Sequence, residues 1–187
     1  MAIVGYAPGR KIEDTALKVG NDAVIRAGSI IYGGSVIGEN LETGHGAVIR
    51  EENRIGDGLR IWNNSTIDYG CFIGNNVKIH CNVYIAQFTT IEDDVFLAPG
   101  VMVANDFHPL CSRCMKGPTI KKGARIGMNV TILPRVIIGE KSLIAAGAVV
   151  TGDVPPCSVV VGNPGRVTKS IYDLECKTGI MERPYNE

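Results

Sequence analysis

The chain repeats itself every six residues, and very few folds accept that period. Steps of six from Val19 meet Ile25, Ile31, Ile37, Thr43, Ile49, Ile55, Ile61, Ile67, Ile73, Ile79, Ile85, Ile91, Leu97 and Val103, with Thr43 the only non-aliphatic residue. The register returns at Ile120 and runs through Ile126, Ile132, Ile138, Ile144 and Val150. A helix repeats at about 3.6 residues and a strand at two, so neither produces this line. A three-sided solenoid does. Each hexad supplies one short strand and one corner, its first aliphatic points inward, and three hexads close a coil of about 18 residues. The fifth position of the hexad is small or β-branched, as at Ser29, Ser35, Ala47, Ser65, Val77, Val83, Val95, Val130 and Ala148, and is expected to face inward too. Coils then stack at roughly the 4.8 Å strand spacing, each covering its neighbour.

Composition agrees. The 187 residues hold 22 Ile and 19 Val against 8 Leu, and 23 Gly. β-branched side chains favour strands, and glycine favours turns. Lys plus Arg equals Asp plus Glu, so the basic excess of a nucleic-acid binder is missing. No apolar run reaches membrane-spanning length, and Met1–Tyr6 lacks a signal peptide's pattern. The expectation is a soluble cytoplasmic protein with no membrane partner and six reduced cysteines.

The register breaks in three places. Ile12–Leu17 reads as a first hexad offset by one residue, with residues 1–11 capping the open end against edge pairing. A protruding loop is predicted at 109–119. Near the end, Pro155 and Pro156 close the repeat, Ser158–Val161 forms a last strand, and the spacing of Ile171 and Leu174 predicts a short helix over Arg166–Lys177 that stops at Gly179. The reading is therefore an all-β solenoid domain over 1–167 and a C-terminal helix and tail over 168–187.

Several motifs carry a family likeness. They are Ile126-Gly-Met-Asn-Val-Thr-Ile-Leu-Pro134, Ala145-Ala-Gly-Ala-Val-Val-Thr151, Asp153-Val-Pro-Pro156 and Val161-Gly-Asn-Pro-Gly-Arg-Val167. With the repeats, the chain resembles hexapeptide-repeat acyltransferases, whose parallel β-helix is left-handed. Ile73–Ile79, Ile91–Phe96 and Asn105-Asp106 are similar to the N-acetyltransferases of nucleotide-linked amino sugars. The resemblance implies a homotrimer with acetyl-CoA in a groove between subunits. It implies that Met128 and Ala146 line the pantetheine arm, and that Thr151, Arg166 and Lys169 lie near the coenzyme's nucleotide end, where cations suit phosphates. Gly152 departs from the family, which often has Lys or Arg there.

Acyl transfer from a thioester needs a positioned nucleophile, a base for its proton and donors for the oxyanion. The histidines are His45, His80 and His108. His108-Pro109 begins the loop and resembles the catalytic histidine of sugar and antibiotic O-acetyltransferases, so His108 is expected to be the general base. A surface histidine that merely shapes the loop is the alternative. His80, Asn82, Asn105 and Asp106 are candidate acceptor contacts, with solvated corners as their alternative. Asp106 could instead orient His108. His45 reads as structural or as the rim of a nucleotide site. His108-x-x-Cys111-x-x-Cys114 has ligand-like spacing but offers only three groups, so no metal is expected. The implied reaction acetylates the amine of a nucleotide-linked amino sugar. A sugar or antibiotic hydroxyl as acceptor, or a non-catalytic structural β-helix, are the rivals.

Overall fold

The computed structural model describes residues 1–109, 111 and 113–185. It is a parallel β-solenoid of three sheets, a left-handed β-helix of about eight turns. Face A stacks Ile3–Tyr6, Ile30–Tyr32, Val48–Ile49, Thr66–Ile67, Tyr84–Ile85, Met102–Val103, Thr131–Ile132 and Val149–Val150. Face B has seven strands, from Lys18–Val19 to Ile137–Ile138, and face C has eight, from Glu42–Thr43 to Arg166–Ser170. Most strands are two residues long, the first facing out and the second in.

The hexad line forms the core. From Ile31 onward every first-position residue named above is buried, and so are the fifth-position residues. Thr43 survives inside because its hydroxyl accepts the Arg26 amide at 3.0 Å and pairs with Ser29 Oγ at 3.0 Å. Among the described residues no buried side-chain nitrogen or oxygen lacks a partner.

Each coil passes three corners. Residues such as Arg50–Asn53 join A to B, Gly56–Leu59 join B to C, and Trp62–Ser65 join C to A. At most corners one residue takes a left-handed conformation. On the C–A edge it is Gly46, Asn64, Asn82, Gly100, Asn129 or Gly147, the types that tolerate it. On the A–B edge it is also Glu52, Phe88 and Arg135, so that edge retains large side chains where they are unfavourable.

The ends correct two expectations. Ile12–Leu17 forms no strand. It stacks as a corner on Gly33 and Gly34 with Leu17 against the core, while Ile3–Tyr6 pairs parallel with Ile30–Tyr32. The predicted helix over Arg166–Lys177 is absent: Arg166–Ser170 is a strand antiparallel to Ser158–Val161, followed by one 3-10 turn at Ile171–Asp173. The Ile171/Leu174 spacing is genuine, and Ile171 is buried, but the open edge of face C takes β-branched Val167 and Thr168 as a partner strand.

Candidate functional site

The loop leaves the A–B edge after Met102–Val103 and rejoins it before Thr119–Ile120. Thr119 is already strand, so the excursion ends earlier than predicted. The Lys116 amide donates to the Asn105 carbonyl at 2.7 Å and closes its base. Asp106 organises its start, accepting the His108 amide at 2.8 Å and the Cys111 amide at 3.1 Å. Neither contact is to the His108 ring, which stays exposed. Beside this loop, on face A, lies an open cavity of about 510 Å3 bounded by Tyr84, Val103, Asn105, Asp106, Cys111 and Met115 among others.

The Cys111 and Cys114 sulfurs lie 3.0 Å apart. Their shared hydrogen bond holds the Cys111 thiol below its ordinary range and Cys114 above it. Among the described residues no three His, Cys, Asp or Glu side chains converge as metal ligands.

His80 and Asn82 are elsewhere. They occupy the C–A edge, across face A from the loop in the same chain. His80 stacks on Trp62, with ring centroids 4.9 Å apart, and its Nδ1 accepts the Cys81 amide at 3.0 Å. Asn82 holds a left-handed corner. His45, on the same edge, contacts the Ala27 carbonyl at 3.2 Å.

Met128 and Ala146 also stand on the C–A edge, one coil apart and exposed. The Gly147 amide donates to the Met128 carbonyl at 2.8 Å. Gly127 keeps the coils close there, because a Cβ on it would meet the Ala146 nitrogen at 2.6 Å. Thr151 and Arg166 line a recess at the C-terminal end, floored by Val150, Val154 and Val160. Arg166 and Lys169 are three apart and would ordinarily point to opposite sides of a strand. The strand pairing slips between Val159 and Val160, so Arg166 stands opposite Val161 and Lys169 opposite Val159. Both cations thus share the outward side of face C.

Sequence reasoning missed a polar column on the A–B edge. Asp68 is buried and accepts four hydrogen bonds: Arg50 Nη1 at 3.0 Å, the Tyr69 amide at 2.8 Å, Tyr84 Oη at 2.7 Å and Gln87 Nε2 at 2.5 Å. Asn105 Nδ2 donates to Gln87 Oε1 at 2.6 Å. Burial first, and then the bond to Asp68, push the Tyr84 phenol upward. Below, buried Glu51 takes Arg10 Nε at 2.7 Å and Arg50 Nη2 at 2.9 Å. Burial alone would raise the Glu51 carboxyl, but its own backbone amide and the two guanidinium groups outweigh that and lower it. The available signal was the coil period: Arg50 and Asp68, like Gln87 and Asn105, are 18 residues apart.

The structure is a three-sheet solenoid with open recesses beside its loop and at its C-terminal end. The bacterial transferase hexapeptide (six repeats) model matches residues 70–105 and 117–152. A Schizosaccharomyces pombe protein named as an acetyltransferase is 39% identical over 80 residues, 39% of each chain. The dTDP-3-amino-3,6-dideoxy-alpha-D-galactopyranose 3-N-acetyltransferase of Aneurinibacillus thermoaerophilus is 38% identical over 63 residues, 34% of this chain and 33% of that one. The chain thus spans about two fifths or less of these relatives. The crystal structure of the polySia specific acetyltransferase NeuO shares the fold, with a TM-score of 0.65 and 18% identity over 91% of this chain and 86% of that one. No helix among the described residues is long and apolar enough to cross a membrane.

Proposed function

We propose that this protein is a cytoplasmic acetyltransferase that moves an acetyl group from acetyl-CoA to the amine of a nucleotide-linked amino sugar. The observation that carries the reading is the 38% identity to the Aneurinibacillus sugar N-acetyltransferase, and the site geometry supports it. The exposed Met128, with its thioether and backbone, and the small Ala145, Ala146 and Gly147 one coil on suit a long, flexible pantetheine arm. Arg166 and Lys169, on one side of face C, suit its phosphates. The loop cavity suits a sugar.

Within one chain the Met128–Ala146 corners and the loop cavity lie on opposite edges of face A. A second copy, packed so that its A–B edge meets the first copy's C–A edge, would join them. Face A invites such packing. Its outward residues from Ile30 to Val149 are Ile30, Val48, Thr66, Tyr84, Met102, Thr131 and Val149, none of them charged, whereas face C presents Glu42, Arg60, Lys78 and Arg125. A homotrimer about face A follows, checked by sedimentation; a stable, fully active monomer would refute it.

His108 serves as general base in this reading. As the amine nitrogen bonds to the acetyl carbonyl carbon, its surplus proton passes to the imidazole and then to the departing thiolate of the coenzyme. The second reading, a hydroxyl acceptor, is favoured by the His108-Pro109 pair. Release of free coenzyme thiol, measured with amino-sugar and hydroxyl-only acceptors, separates the two. Turnover with the amino sugar alone is expected. No turnover with either, and no acetyl-CoA binding, would leave a structural β-helix.

A further inference from the structure

The column on the A–B edge has a direction, and the direction decides what the loop cavity can recognise. Asp68, as a carboxylate, only accepts hydrogen bonds. Gln87 must therefore turn its Nε2 toward Asp68, which leaves its Oε1 facing Asn105. Asn105 must in turn offer Nδ2 to that oxygen, as the 2.6 Å contact shows. Nδ2 keeps a second proton, and the side-chain atom of Asn105 with no partner among the described residues is Oδ1, on a residue that lines the loop cavity. Asp106, its neighbour, is engaged by two loop amides.

We propose that Asp68 and Gln87 are positioning residues that fix the Asn105 amide so that its oxygen, and not its nitrogen, is presented to the acceptor. Asn105 is then the specificity-determining contact, selecting a hydrogen-bond donor: the amine of the sugar, or a hydroxyl beside it. This rests on the acetyltransferase reading and deepens it. The column is anchored to resist rotation. Arg50 and Tyr84 hold Asp68 from two sides, and the Arg10–Glu51–Arg50 ion pairs hold Arg50. An amide set in this way has its donor–acceptor sense fixed before the ligand arrives, which lowers the ordering cost of binding.

Inverting the column tests it. In Asp68→Asn the new amide can donate to Gln87 Oε1. Gln87 then turns Nε2 toward Asn105, and Asn105 turns its own nitrogen into the cavity. The expected result is an acceptor KM raised about 10-fold or more, with the acetyl-CoA KM little changed. Adding Gln87→Glu restores the sense, because a carboxylate at position 87 accepts both from the amide introduced at position 68 and from Asn105. The double variant should recover most of the lost acceptor affinity, which a merely structural role for Asp68 would not allow. A double variant no better than Asp68→Asn, or an unmoved acceptor KM in Asp68→Asn, overturns the proposal. A readout independent of turnover separates this from failure of the functional reading. The Asn105 side-chain amide protons, followed by 15N NMR, should exchange slowly in the wild type and fast in Asp68→Asn. Equal exchange in the two proteins also overturns the proposal, whether or not acetyl transfer is observed.

Discussion

The A–B and C–A edges are cut from the same six-residue template and have become opposites. The A–B edge keeps Glu52, Phe88 and Arg135 in left-handed corners, buries Glu51 and Asp68, and throws out the loop. The C–A edge returns its corners to Gly and Asn, and in its later coils it keeps Gly127, Ala145, Ala146 and Gly147 around a single large side chain, Met128. The difference fits a division of labour under the proposed function: one edge invests side chains and backbone strain in polar detail, and the other carries few side chains beyond Met128 in its later coils. A sugar with many hydroxyls demands the first kind of surface and a pantetheine arm the second.

Replacing His108 should break the comparison most sharply, because the proposal places the chemistry on the A–B edge alone. His108→Ala is expected to lower kcat by about 10²-fold or more while leaving acetyl-CoA binding and the trimer intact. Retention of most of kcat would mean that positioning suffices and that the base is solvent or substrate. The converse test is Arg166→Ala with Lys169→Ala. Charge-assisted contacts are each worth roughly 1.5–3 kcal/mol when well formed, and these two are exposed, so a loss of about 10- to 100-fold in acetyl-CoA affinity is expected with acceptor KM unchanged. Calorimetry that shows undiminished binding would put the phosphates elsewhere.

The two edges also differed in how far the sequence disclosed them. The period exposed the core because each first-position residue must fill the same narrow interior, and only Thr43 needed side-chain partners to do so. The C–A edge was legible through its signature motifs. The A–B column was not, since Asp68, Gln87 and Asn105 look like solvated corners until the 18-residue coil is used to stack them. Within one chain face A separates His80 and Asn82 from Asn105 and Asp106, and the proposed packing of a second copy would bring the two pairs together. Residue spacing tells which corner a side chain occupies only once the corners are counted round the coil. At the C-terminus, local spacing suggested a helix where an unpaired sheet edge claimed Arg166–Ser170 as a strand.

A smaller effect should distinguish the edges by packing. At Gly127 an added Cβ would press on the backbone nitrogen of Ala146, the carbonyl oxygen of Ile144 and the carbon of Ala145, all within 2.9 Å. Backbone in a stacked coil cannot swing aside as a side chain can. Gly127→Ala should therefore destabilise the fold by about 1–3 kcal/mol, read from denaturant unfolding, and displace the proposed coenzyme track. A variant as stable as wild type would show that the C–A edge is more compliant than its close approaches suggest.

The least effect is the pH response of the A–B edge, and its sign follows from Glu51. Its carboxyl is lowered from the ordinary value, burial being outweighed by its own amide, Arg10 and Arg50. A group held lower in the folded state binds its proton less readily there than in the unfolded chain. Its contribution to stability is therefore full above the ordinary glutamate pKa of about 4.3 and fades as pH falls through the lowered folded value. Glu51→Gln keeps the shape and can still accept from the arginines, but carries no charge to lose. Melting temperatures of the two proteins, compared from neutral pH downward, should differ most near neutrality, and the gap should narrow below the ordinary carboxylate range. Curves that stay parallel would mean that the Glu51 charge adds nothing, and that hydrogen bonds to a neutral side chain are enough to hold Arg50 under Asp68.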